Sequence, residues 1–262
     1  MNRAAMAEAA FHDDKKEEAW RRKSPAGTWP PPPDRYERAL LQVFEREPRG
    51  KVLDAPCGQG AMSVRLREMG FEVRCFDIAP ELFRGEGFTV ETGDMNVALP
   101  YPDGEFDYIL SKNGAHRVFS LDRMIAEFAR ILRPGGRVVL SVPNYGRIQR
   151  RIRHLLYGSL SRNINSQECE RVLDAPIANF RNCLLYPQIE KTFLRHGFQI
   201  RAITSDGKPY SQFHSLPLVW LVRFLCRFSS QKDREDYSLE GSNSAHALAG
   251  GGHLIVVAEK GA

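Results

Sequence analysis

The chain reads as an α/β protein built on a parallel, doubly wound sheet, and two observations carry that reading. Strand-like and helix-like runs alternate from residue 36 to 143, the order that βαβ units require. The run KVLD (51–54) breaks into APCGQG and then opens into the helical AMSVRLREMG. Glycines between a buried strand and a helix N-terminus let backbone N–H groups approach a polar or anionic ligand.

Taken in order, residues 1–23 alternate charged and small side chains and read as a helix, while SPAGTWPPPP (24–33) cannot be one, because consecutive prolines remove donors and favour polyproline II. Residues 1–34 are therefore expected to form a mobile arm with a stiff spacer. RYERALLQVF gives a helix with Leu40, Leu41 and Phe44 apolar, and KVLDA a strand. MSVRLREM is a helix, FEVRCFDI a strand, GFTVETGD a strand after a short link, and FDYILSK another strand. LDRMIAEFARIL is a strongly amphipathic helix, and the turn Pro134-Gly135-Gly136 leads into the strand GRVVLSVP. NYGRIQRRIRHLLYG carries Ile148, Ile152, Leu155 and Leu156 at helical spacing, with arginines on its remaining surface. YPQIEKTFLRHGFQIRAIT is helix then strand, 206–252 is irregular, and GGHLIVVAEK is a strand. The expected boundaries are 1–34 for the arm and 35–262 for one domain, with insertions at 146–186 and 206–252.

Composition excludes several classes. The longest apolar run, LPLVWLVRFLCRF (216–228), contains Arg223 and Arg227 and is shorter than the roughly 20 residues of a spanning helix. The charged N-terminus has no apolar core of the export type. A cytoplasmic protein is expected, with peripheral membrane contact as an extension. Five scattered cysteines without a CxxC argue against a disulfide framework and against a zinc site, so no metal is expected. The net charge of +5 is uneven: residues 128–167 hold eight arginines and no acid, a field suited to an anionic substrate, a phosphate-bearing carrier or an acidic membrane surface.

The order of these signals resembles the class I S-adenosylmethionine-dependent methyltransferases, of the small-molecule, methyltransferase type 11-like kind, over residues 36–145 and again at 187–205 and 252–260. The resemblance implies a mostly parallel seven-stranded Rossmann-like sheet with an antiparallel last strand, and S-adenosyl-L-methionine as cofactor. It places Asp54, Cys57, Gly58 and Gly60 in the loop that binds the methionine part, with Pro56 standing where the family more often has its first glycine. Asp77 in RCFDIAP, followed by Ile78, takes the ribose-binding place, and a carboxylate's two acceptor oxygens suit a vicinal diol. Asp94 and Met95 resemble the pair that grips adenine, and Asn113 lies in the loop after the fourth strand. Each position also has a purely structural use: a tight turn, a helix N-cap at Asp77, a turn start at Asp94, core filling by Met95. The conjunction of four such positions at successive strand ends supports the cofactor reading.

Methyl transfer from a sulfonium needs mainly an aligned nucleophile. For a hydroxyl acceptor a base helps, and His116 is the candidate. Asn144, Tyr145, Arg147 and Arg151 are candidate substrate ligands, since arginine's fork matches phosphate and carboxylate. The expected acceptor is a small molecule methylated on a hydroxyl, amine or carboxyl, either a soluble metabolite or a glycosylated, anionic or lipid-linked one. The rival readings are a nucleic-acid or protein methyltransferase, a catalytically idle cofactor-binding partner protein, and an NAD-dependent oxidoreductase. Gly58-x-Gly60 followed by Ser63 lacks the third glycine of the dinucleotide fingerprint, and no RNA-binding module is recognisable.

Overall fold

The computed structural model describes residues 29–158, 160, 182–210 and 215–261. The helix expected in 1–23, half of the spacer and parts of both insertions lie outside them.

Strands β1 (Lys51–Asp54), β2 (Glu72–Asp77), β3 (Val90–Thr92), β4 (Phe106–Lys112), β5 (Leu132–Pro143), β6 (Phe198–Ser205) and β7 (His253–Lys260) form one sheet in the order β3-β2-β1-β4-β5-β7-β6. The pairs β2–β3, β1–β2, β1–β4 and β4–β5 are parallel, whereas β7 is antiparallel to both β5 and β6. The strand order reverses between β1 and β4, so the C-terminal ends of β1 and β4 flank the crevice where doubly wound sheets bind ligands.

Period-two alternation divides the strand side chains between two layers. Val52, Leu110, Val139 and Ile255 face α1 (Arg35–Glu45) and α2 (Ala61–Glu68), where Leu40, Phe44, Met62 and Leu66 cover them. Leu53, Ile109, Val138, Leu140 and Val256 face α3 (Leu121–Ile131) and α5 (Tyr186–Arg195) through Ile125, Phe128, Ile189 and Phe193. Asp34 caps α1 by accepting from Glu37 N at 2.8 Å, and Ser120 caps α3 through Arg123 N at 3.2 Å. Both caps satisfy N–H groups that a helix start leaves without partners.

The turn expected before β5 is instead part of the strand. Leu132 already pairs with Phe106, and the register then jumps so that Arg137 pairs with Tyr108. Pro134-Gly135-Gly136 is taken up in this irregularity, with Gly135 at φ 74.

The second insertion is more ordered than its sequence suggests. It holds α6 (Leu216–Leu225), a single turn at Cys226–Phe228, and the short helices α7 (Gln231–Asp236), α8 (Leu239–Ser242) and α9 (Ala245–Ala249). With α4 (Ile148–Tyr157), α6 and α9 build a small apolar cluster of Ile148, Val219, Leu248 and Ala249.

The arginine-rich stretch is split by the fold. Arg130 pairs with Glu127 and Asp103, Arg133 with Asp107, and Arg137 with Glu47 and Glu259. Their charge is neutralised within the sheet and its flanks, and among the described residues the field expected of 128–167 contracts to Arg147, Arg150, Arg151 and Arg153.

Candidate active site

Three loops meet at one glycine. An added Cβ at Gly114, after β4, would lie 2.3 Å from Pro56 Cδ and 3.1 Å from Met95 Cε. The loops after β1, β3 and β4 therefore converge, and Pro56 is accommodated in the first because its partner in the third lacks a side chain.

Within the β1 loop, Gly58 has φ 52 and an added Cβ there meets nothing within 4 Å, so its backbone faces open space. Gly60, at φ 85, starts α2, and a Cβ there would lie 2.4 Å from the Phe83 ring. Only glycine combines that left-handed conformation with that closeness. The Cys57 thiol is directed to Cys75, and that contact, together with burial, pushes its pKa up. It is the backbone of residue 57, rather than its sulfur, that belongs to the loop.

Asp54 is buried at the end of β1 and accepts from Ser63 Oγ at 2.6 Å. Burial pushes its carboxyl up to about 7, a rise that Ser63 and Lys112 oppose and Asp77 adds to. Asp77 ends β2 and accepts from Gly58 N at 2.7 Å and from Ala79 N at 3.0 Å. This binds the β1 loop to β2, and with about four lone-pair positions the carboxylate keeps acceptor capacity for a diol. Ile78 beside it is 51% exposed, an apolar surface at the same edge. Asp94 accepts from Asn96 N at 2.9 Å and Asn96 Nδ2 at 2.8 Å, so it does start a turn, and Met95 is half-buried beside it. Asn113 stands at φ 57 with its Oδ1 buried and unbonded. A non-glycine residue in the left-handed region with an orphaned acceptor is a feature that functional sites retain.

Towards β5 the predicted substrate residues separate. Asn144 is buried and donates to His246 O and Gly251 O, while its Oδ1 is buried and unbonded. Tyr145 is buried with the Arg150 guanidinium over its ring. Arg147 keeps a buried, unbonded Nε. Burial lowers its pKa, as do Arg150 and Arg35, with Asp206 alone opposing them. Arg151 donates to Gly146 O, Asn243 Oδ1 and Ser242 O at 2.6–2.9 Å. Its fork fastens α4 to the end of α8.

His116 is buried in the turn after β4. A second histidine escaped the sequence reading. His253 opens β7, and because β7 runs antiparallel, its first residue lies at the same edge as Pro143, the last of β5. His253 Nδ1 lies 3.0 Å from Asp206 Oδ2, its backbone N–H donates to Asp206 Oδ1 at 2.9 Å, and its ring stacks on Tyr36 at 3.9 Å. Tyr36 OH is 2.5 Å from Ser141 Oγ. Asp206 and His253 are 47 residues apart, so no local pattern announces the pair.

A parallel sheet with a glycine loop at its switch point, a carboxylate at each of the next two strand ends and a left-handed asparagine after β4 defines a nucleotide-cofactor-binding α/β protein. Residues 53–140 match the family described as Methyltransferase domain. A demethylmenaquinone methyltransferase of Thermus thermophilus is 31% identical over 113 residues, 39% of this chain and 51% of that protein. The malonyl-[acyl-carrier protein] O-methyltransferase of Serratia marcescens is 31% identical over 115 residues, 42% of this chain and 45% of that protein. The chain thus spans about half the length of the curated relatives it matches. Haemonchus contortus phosphoethanolamine N-methyltransferase 2, solved with S-adenosyl-L-methionine, has a similar fold at TM-score 0.59 and 16% identity, over 100% of this chain and 60% of that one. A Thermotoga maritima SAM-dependent methyltransferase gives TM-score 0.55 at 14% identity, over 97% and 99%. Residues 53–140 thus carry the methyltransferase domain match, and the chain has the fold of the class I S-adenosylmethionine-dependent methyltransferases.

Proposed function

We propose that the chain transfers a methyl group from S-adenosylmethionine to a hydroxyl, amine or carboxyl of an anionic or lipid-linked small molecule. The observation that carries this is the convergence of the β1, β3 and β4 loops at Gly114, with Asp77 bonded across to Gly58.

The residues present fit the cofactor. Gly58 leaves open space where a side chain would otherwise stand, and Asn113 Oδ1 is a buried acceptor in want of a donor. In this reading Asp54 and the backbone of Cys57, Gly58 and Gly60 hold the methionine part, Asp77 the ribose, and Ile78, Asp94 and Met95 the adenine. Asn113 turns its amide toward the amino-acid end. When bound, the cofactor supplies a methyl group on a sulfonium, so the chain's own task is to position the nucleophile in line and exclude water.

The acceptors named for the similar proteins differ, and the choice here rests on this chain's own residues. Arg147 is half-buried with Arg35 and Arg150 as neighbours and Asp206 as their acid. A phosphate or carboxylate on the acceptor would relieve that excess of positive charge and engage the unbonded Nε. The described parts of 146–186 and 206–252 would act as a lid. Proton removal falls to His116 or to His253, whose Nδ1 is oriented by Asp206 as a base's would be.

Calorimetric titration of S-adenosylmethionine, S-adenosylhomocysteine and NADH into the wild type and Asp77→Ala tests the reading. Micromolar binding of both sulfur nucleosides, weakened at least about tenfold in the variant by loss of a charge-assisted contact, is expected. Binding of NADH alone would overturn it.

A further inference from the structure

We propose that the outer face of α6, the turn 226–228 and the end of α4 form a docking surface for an anionic phospholipid bilayer. The docking stands apart from the transfer chemistry, although its purpose rests on the lipid-linked acceptor proposed above.

Helix α6 is apolar on both sides. Val219 is buried, and Leu218 and Val222 pack with Ile148, Ile152 and Leu248 on the inner side. On the other side Trp220, Leu221, Phe224, Leu225 and Phe228 are 63, 48, 55, 56 and 75% exposed. Their spacing of i, i+1, i+4, i+5 and i+8 puts them in one stripe. An ordinary surface helix carries polar residues there. At the end of α4, Leu155, Leu156 and Tyr157 are also exposed. Both helices spring from one place, for Gln149 Nε2 lies 3.2 Å from Ser215 Oγ.

Charge chooses the occupant. Residues 147–157 and 216–228 contain six arginines and neither aspartate nor glutamate. Arg151 is turned inward, whereas Arg223 and Arg227 are exposed beside Phe224 and Phe228. A second copy docked by a two-fold axis would set this patch against itself, arginine facing arginine. Anionic headgroups complement it. Arginine stems lie along apolar surface while their heads reach phosphate, and tryptophan and tyrosine favour the interface. Among the described residues no helix is long and apolar enough to cross a membrane, so α6 would lie in the interface plane with its stripe in the acyl boundary.

The full chain should be cosedimented with vesicles of phosphatidylcholine alone and of phosphatidylcholine with phosphatidylglycerol. We expect partition onto the anionic vesicles only, falling with added salt, and a blue shift of fluorescence that Trp220→Phe removes. Arg223→Gln with Arg227→Gln should weaken partition about fivefold per arginine. Phe224→Ser with Phe228→Ser should weaken it further. All these residues are exposed, so circular dichroism and cofactor affinity should match wild type. Equal partition onto both vesicle types, or none, overturns the proposal. So does a dimer in light scattering that Phe224→Asp dissociates. Cofactor titration on the same samples keeps the two readings distinct: wild type that docks without binding S-adenosylmethionine refutes the transferase, not the surface.

Discussion

Replacing Asp54 by asparagine should flatten the pH dependence of cofactor affinity. The Asp54 carboxyl is pushed up to about 7, chiefly by its burial at the end of β1. About half of the unliganded molecules therefore hold a proton there at pH 7. The sulfonium and ammonium of the cofactor favour the carboxylate, so binding should expel that proton. Between about pH 5.5 and 7 the wild-type affinity should rise about fifteenfold, or ~1.6 kcal/mol, because each unit below the pKa costs a factor approaching ten. Calorimetry at pH 7 in two buffers of different ionisation enthalpy should report about half a proton released. Asp54→Asn should show neither effect. A flat wild-type profile, or the same slope in the variant, refutes the reasoning. The sign for unliganded stability follows from the same group. Its folded value of about 7 lies above the ordinary 3.8, so its contribution is fully present below the lower value and is lost as pH rises through the upper one. The total, about 4 kcal/mol, is an upper bound that urea unfolding of Asp54→Asn against wild type would measure.

Gly60→Ala should destabilise by about 1–3 kcal/mol, since it adds a strained left-handed residue and a collision with Phe83. Urea midpoints check this, and Phe83→Leu in the same chain should recover the collision part. Comparing pH–rate profiles of His116→Ala and His253→Ala will separate the candidate bases: the acid limb disappears with the true one, and two unchanged profiles dismiss both. Arg151→Ala should loosen α4 from residues 242–243, lowering kcat/KM while leaving S-adenosylmethionine affinity within about twofold of wild type. Arg147→Ala should instead raise KM for an anionic acceptor with kcat little changed, and an unaltered KM would remove Arg147 from the acceptor site.

The loop-bearing edge of the sheet was legible because each of its parts is local. A strand, its terminal acid and the following loop occupy neighbouring positions, as in KVLDAPCGQG and RCFDIAP, and strand order places them side by side. The pair at the other edge was not: His253 and Asp206 meet only because β7 enters the sheet reversed. Helices α7 to α9 are 4–6 residues long, too short for periodicity to register, and serine caps at Ser230 and Ser244 were the signals available. The strand expected over GFTVETGD shrinks to Val90–Thr92 at the sheet edge. Arg151 shows the limit of charge reading, because a guanidinium on a helix face is equally suited to carbonyls within the protein and to a ligand's phosphate.

The place of β7 between β5 and β6 gives the molecule an order of assembly. β1 to β4 pair with one another and with β5, all within residues 51–143, and so can pair while the chain is still being made. Among the described strands β6 has β7 as its sole neighbour, so residues 198–205 wait for 253–260 to leave the ribosome before this ladder can form. The edge that carries the β1, β3 and β4 loops can thus take shape first, and the β6–β7 half with its helical cover closes only when β7 slides in. A truncation within β7 would leave β6 as an unpaired edge exposed to other chains. The penalty would be aggregation at the β6–β7 half before any loss at the β1 loop.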